Sequence, residues 1–203
     1  MGGDLPKQFI EVNGRPLLAY TLVRIRRFCG EKECVVVMNE DWIDHWQELC
    51  ERHQLPQHVC VKGGKERFHS VAAGLEQVSG ELVGIHDAVR PLVSDETIER
   101  CFSAAEVHGG AVPVVQVNES LREVTGDENR AVPRSRYRIV QTPQCFQTRL
   151  IKRAFEQGYR EDFTDDASVF EAAGHRIALV EGNVENIKVT TPQDLLLAEH
   201  YLR

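Results

Sequence analysis

Five cationic residues and one carboxylate stand in short strings that ordinary surface charge does not explain. Lys7 lies in Pro6-Lys7-Gln8, and Arg67 closes Gly63-Gly64-Lys65-Glu66-Arg67. Asp87 and Arg90 share His86-Asp87-Ala88-Val89-Arg90-Pro91, Arg134 lies further on, and Lys188 sits in Asn186-Ile187-Lys188-Val189-Thr190. An ammonium in a mostly apolar stretch is costly without an anion beside it, and a phosphate removes that cost. Two glycines let the backbone approach a flat ring with no Cβ in the way, and a helix N-terminus after them adds positive potential. The ligand chemistry that suits this set is a phosphorylated polyanion carrying a planar base.

Each residue also has a plainer reading. Asp87 ends the apolar run Leu82–His86, at the carboxyl edge of a strand, where open α/β sheets bind ligands; from there it either faces a ligand or caps the next turn. Arg90 either lines a pocket or orients Asp87 without touching a ligand. A Gly-Gly turn is by itself only a turn, a lone lysine is usually a solvated charge, and Arg134 alone reads equally as an exposed hairpin residue. Asp165 and Asp166 after Thr164 suit a helix N-terminus, and no metal role is assigned to them. The eight histidines show no His-x-x-x-His spacing, so no zinc site is expected.

Short β-branched runs alternate with helical patterns, which indicates an α/β fold with a mostly parallel sheet. Strands are expected at Cys34–Met38, His58–Lys62, Leu82–His86, Ala111–Val117, Ile177–Val180 and Glu185–Val189. Helices are expected over Leu17–Phe28, Asp41–His53, Ser70–Val78 (capped by its serine) and Ser94–His108, which Gly109-Gly110 stops. A last helix opens at Thr191-Pro192. The turn-rich Thr125–Asn129 breaks the alternation and makes 117–141 a hairpin that projects from a single domain spanning 1–203. An isolated hairpin is marginal in water, so a second subunit is its natural packing partner.

The net charge is −7 over 203 residues, which argues against nucleic-acid binding. No apolar run is long enough to span a membrane, and no basic flank with an apolar signal core opens the chain. The six cysteines are scattered with no Cys-x-x-Cys pair, as expected of reduced thiols in the cytoplasm.

The strings above, followed by Thr142-Pro143-Gln144 and Thr164-Asp165-Asp166-Ala167-Ser168, resemble in this order the polyol-phosphate cytidylyltransferases of the nucleotide-diphospho-sugar transferase superfamily. The resemblance to the 2-C-methyl-D-erythritol 4-phosphate cytidylyltransferase family covers nearly the whole chain. It implies a Rossmann-like three-layer α/β/α fold, CTP and a small polyol phosphate as substrates, Mg2+, and a homodimer embraced by the hairpin arm. It also implies roles. Lys7, Lys188 and Arg134 are catalytic, the first on the α-phosphate and the second on the incoming phosphate. Gly63, Gly64, Arg67, Ser70 and Asp87 surround the nucleotide. Arg90, Ser120 and Thr142 hold the acceptor, with Ser120 and Arg134 reaching the neighbouring subunit. Any metal is held mainly by the triphosphate, with Asp87 as the protein ligand. The family pattern opens with a strand and a Gly-rich phosphate loop, and this sequence begins at Met1-Gly2-Gly3-Asp4, after them. Lys65 stands where an acidic residue is common, and Ser120 where threonine is. Ribitol-5-phosphate cytidylyltransferase and a non-catalytic nucleotide-binding subunit are the alternative functions.

Overall fold

An Asn-Gly turn closes the first hairpin. Asn13 (φ 49) and Gly14 (φ 76) are both left-handed and close a hairpin between β1 (Glu11–Val12) and β2 (Arg15–Pro16), as two-residue hairpin loops require. The computed structural model describes residues 5–29 and 33–203, so the Met1-Gly2-Gly3-Asp4 start lies outside the described residues. Helix α1 (Leu17–Ile25) buries Leu18 and Leu22 with Phe9, Val36, Trp46 and Leu49. Strands β3 (Val35–Met38) and β4 (Val59–Lys62) are parallel, Val35 opposite Val59, and helix α2 (Ile43–Arg52) makes the crossover that parallel pairing demands.

Helix α3 (Arg67–Glu76) leads to β5 (Leu82–Ile85), and α4 (Asp95–His108) to β6 (Gly110–Gln116). The ends of α4 are as the sequence suggests: the Ser94 hydroxyl accepts from the Thr97 N–H, and Gly109 (φ 86) stops the helix. The arm is β7 (Leu121–Thr125) against β8 (Glu128–Val132), turning at Gly126 (φ 60), and β9 (Arg138–Val140) returns along β6. The chain then forms β10 (Gln144–Gln147), α5 (Thr148–Phe155), α6 (Asp166–Ala172), β11 (Ala178–Glu181) and α7 (Pro192–Tyr201). Thr191 caps α7 in a reciprocal box with Asp194.

The larger sheet has the order β11-β6-β10-β5, with β9 also on β6. β11 is parallel to β6, and β10 is antiparallel to both β6 and β5. Strands β5, β6 and β11 therefore share one direction, as an α/β sheet should, while β10 and β9 run against them and make the sheet mixed. Phe146 of β10, Ile151 and Phe170 are fully buried beneath it. The β3–β4 pair is a separate sheet among the described residues. A cavity of ≈ 440 Å³ lies between its β3 edge and the β5 edge, lined by Leu22, Val36, Val37, Leu75, Ile85 and Phe102 among others.

Two expectations are corrected. Glu185–Val189 is not a strand: its backbone–backbone hydrogen bonds close local turns (Asn186 N–H to Asn183 O, Ile187 N–H to Glu185 O), and of these only that of Val189 reaches across, to Val89 O. The apolar alternation there reports burial of Val189 and not strand pairing. Ser70 is not the cap of α3. That helix starts at Arg67, and the Ser70 hydroxyl turns back onto the loop before it.

Candidate active site

The carboxyl end of β5 opens into the turn that carries Asp87 and Arg90, held by the Arg90 N–H on Asp87 O at 3.1 Å. Asp87 Oδ2 accepts from Arg90 Nε at 3.1 Å and forms an ion pair with Lys188 Nζ at 3.2 Å. The Asp87 side chain is only 14% exposed, whereas Lys188 is 48% exposed. Burial acts to raise the Asp87 pKa, but the Lys188 ammonium, the Arg90 guanidinium and Arg67 outweigh it and hold the carboxyl below its ordinary value. Arg90 thus pairs with Asp87 in the free protein, a contact that either of its two readings allows. Its Nη1 also donates to Asn186 O at 2.7 Å.

Thr142 joins this turn from the opposite side. Its hydroxyl oxygen accepts the Asp87 N–H at 3.0 Å and lies 2.9 Å from His86 Nδ1. Fully buried Asn186 ties the same loop down, donating from Nδ2 to Thr142 O at 2.8 Å. Sequence reasoning gave no role to His86 or Asn186. Both stand in the quoted strings, but nothing in their local pattern names partners dozens of residues away.

The Gly63–Arg67 loop follows β4. The Gly63 N–H donates to Met38 O at 2.7 Å, and the Gly64 N–H to the Ser70 hydroxyl at 3.1 Å. A Cβ on Gly64 would stand 2.3 Å from His69 Cβ, and one on Gly63 2.9 Å from Ser70 Oγ. Glycine is needed here because the first turn of α3 folds against the loop. Arg67 then forks onto Asp166, with Nη1–Oδ1 at 2.8 Å and Nη2–Oδ2 at 2.6 Å. Asp165 is the helix cap that the sequence suggests, boxed with Ser168, but Asp166 is 1% exposed and serves Arg67 instead. Burial pushes the Asp166 carboxyl upward against the pull of that guanidinium. Buried Gln144 sets the start of α6, donating to Asp165 Oδ2 at 2.7 Å and accepting the Ala167 N–H at 2.9 Å.

Lys7 begins a short 3-10 turn, Lys7–Phe9, and its Nζ donates to Thr190 O at 3.0 Å. Both lysines are therefore anchored around the 186–190 segment, one on its backbone and one projecting from it. Ser120 and Arg134 lie at the root of the arm, both exposed, and Arg134 Nη1 donates to Asn118 O. No described contact joins them to the Asp87 cluster. Around Asp87 the cations Arg67, Arg90 and Lys188 face the carboxylates Asp87, Asp166 and Asp165, so three charges of each sign meet in the free protein.

A cluster of paired charges at the carboxyl edge of an α/β sheet, beside a Gly-Gly loop that opens a helix, fits the class of α/β nucleotidyltransferases. The chain belongs to the 2-C-methyl-D-erythritol 4-phosphate cytidylyltransferase (IspD) family, whose model matches residues 1–203. A relative of that name from Bacteroides fragilis is 48% identical over 204 residues, covering 100% of this chain and 93% of its own length. One from Porphyromonas gingivalis is 48% identical, covering 98% of this chain and 90% of its own. The crystal structure of the Thermus thermophilus enzyme of the same name superposes with a TM-score of 0.82 at 38% identity, covering 97% of this chain and 93% of that one.

Proposed function

We propose that this protein transfers the cytidylyl group of CTP to 2-C-methyl-D-erythritol 4-phosphate. The products are 4-diphosphocytidyl-2-C-methyl-D-erythritol and pyrophosphate, a step in non-mevalonate isoprenoid precursor synthesis. The observation that carries this reading is the Asp87–Arg90–Lys188 cluster at the end of β5, with Arg67 acting on it. The acceptor's phosphate is already ionised near pH 7, because its second pKa is about 6, so no general base is required. One of its oxygens forms a bond to the α-phosphorus of CTP, and the bond from that phosphorus to the β-bridging oxygen breaks. The electron pair leaves with pyrophosphate.

Catalysis then rests on alignment and on neutralised charge. Lys7 offsets charge on the α-phosphate. Lys188 exchanges Asp87 for the incoming phosphate, and Arg134 holds that phosphate from the partner subunit's arm. Gly63, Gly64, Ser70 and Arg67 receive the base and ribose, while Arg90, Thr142 and Ser120 frame the polyol. Among the described residues no group of three or more His, Cys, Asp and Glu could hold a metal. Asp87 suits Mg2+ as one oxygen ligand, its cationic neighbours favouring the ionised carboxylate, with the triphosphate supplying the rest. Bound there, the ion would neutralise phosphate charge. The arm 117–141 is assigned to dimerisation, which exposed Val124, Ile139 and Val140 support. The six free thiols fit a reducing, cytoplasmic setting. Among the described residues no helix is long and apolar enough to cross a membrane.

Pyrophosphate release from CTP with 2-C-methyl-D-erythritol 4-phosphate or ribitol 5-phosphate tests the assignment. Release should require the former, and a preference for ribitol 5-phosphate would overturn it. Gly64→Val should weaken CTP binding about tenfold or more, a loss of roughly 1.4 kcal/mol or more, because the new side chain collides with His69 and displaces the loop. Calorimetric titration reads that change, and unaltered CTP affinity would detach the loop from the nucleotide.

A further inference from the structure

For a neutral ring, the three hydrogen bonds around His86 have only one consistent arrangement of protons. The Arg90 carbonyl lies 3.0 Å from His86 Nε2 and can only accept, so the ring carries its proton on Nε2. Nδ1 is then a bare lone pair, and the Thr142 hydroxyl 2.9 Å away must donate to it. With its proton committed, the Thr142 oxygen accepts the Asp87 N–H at 3.0 Å. The donors run one way, from Asp87 N–H to Thr142, from Thr142 to His86, and from His86 to the Arg90 carbonyl. The path starts and ends on the two residues whose side chains make the ion pair of the site.

We infer that His86 is a positioning residue for this reaction: a neutral imidazole in the Nε2–H form that braces the Asp87–Arg90 turn from both ends and so fixes the carboxylate and guanidinium in the site. The inference rests on the cytidylyl-transfer reading for its catalytic consequence, but the brace itself is a property of the free protein. Around the ring stand Asp87 and Arg90, of opposite charge, so neither sign dominates. A charged imidazole would place a second proton on Nδ1, against the Thr142 hydroxyl proton, and the one-way order would be lost.

Substitutions separate the two ends. His86→Asn keeps an acceptor near the Nδ1 position and loses the bond to Arg90. His86→Gln keeps a donor near the Nε2 position and loses the bond to Thr142. His86→Phe keeps the ring and loses both. In the 203-residue protein, His86→Phe should lower kcat/KM about tenfold to hundredfold, the scale of a small misplacement of reacting groups. Thr142→Val should lose a similar factor, and the double variant little more than either alone, because both break one path. A merely structural role would give losses that follow thermal stability and multiply in the double variant. Long-range nitrogen–proton NMR of the wild-type protein, with His86 assigned by its disappearance in His86→Gln, should show Nε2 protonated and Nδ1 bare at neutral pH. A protonated Nδ1, or His86→Phe within twofold of wild-type kcat/KM, overturns the inference. The NMR experiment needs no substrate. A wild-type chain that failed to release pyrophosphate would sink the functional reading, and the ring's proton would still decide the brace.

Discussion

Replacing Lys188 with alanine should cut turnover about a hundredfold or more and leave the chain folded. Its ammonium is half exposed and rests on Asp87 Oδ2 at 3.2 Å, so the fold does not depend on it. Asp87 keeps Arg90 as a partner when the lysine is gone. In the reaction the same ammonium meets a phosphate, and a charge contact of that kind supplies about 2–4 kcal/mol to the transition state. At about 1.36 kcal/mol per factor of ten, that is roughly two orders of magnitude in rate. Lys7→Ala should behave alike, since Lys7 is exposed and gives up only its bond to the Thr190 carbonyl. Steady-state kinetics, with circular dichroism to verify folding, measure both. Near-normal kcat in either variant removes that lysine from the mechanism. Losing the Lys188 charge should also let the Asp87 pKa rise, so the acid limb of the pH–rate profile in Lys188→Ala should move to higher pH.

Arg67→Ala should be the substitution most damaging to stability, by about 2–3 kcal/mol at neutral pH. Breaking a buried ion pair typically costs about 3–5 kcal/mol, and the partial exposure of Arg67 brings the figure down. The orphan is Asp166, 1% exposed and without its bidentate partner. Burial raises the pKa of that carboxyl even in the intact protein, and removing the guanidinium raises it further. A group whose folded pKa lies above its unfolded value contributes its stability in full below the unfolded pKa and loses it as pH rises through the folded pKa. The variant should therefore regain stability relative to wild type as pH falls toward the carboxylate range, and Arg67→Ala with Asp166→Leu should recover most of the loss. Urea unfolding at several pH values measures this. A deficit that does not change with pH would mean that the orphaned carboxyl is not its source.

Local signals were readable along the chain wherever the physics is local. Ser94, Asp165 and Thr191 cap helices because a short polar side chain reaches its own next turn. Gly109 ends α4 because it adopts a positive φ at no steric cost, and Gly126 turns the arm in the same conformation. Local signals misled where a residue faced two demands. Ser70 reads as a cap, but its hydroxyl serves the Gly64 loop. Strand β10 went unread because Gln144-Cys145-Phe146-Gln147 is flanked by polar residues, and its buried glutamine is satisfied only by a helix some twenty residues later.

From sequence alone came the α/β alternation, the projecting hairpin and the set of residues able to handle phosphate, since residue type and spacing carry all three. Tertiary structure alone decided the pairings. Arg67 grips Asp166 across 99 positions, His86 meets Thr142 across 56, and Lys188 reaches Asp87 from the far end of the chain. The reason is that a charge or a hydroxyl announces that it needs a partner, whereas which partner it gets depends on how the strands stack and cross, a property no single stretch of residues contains.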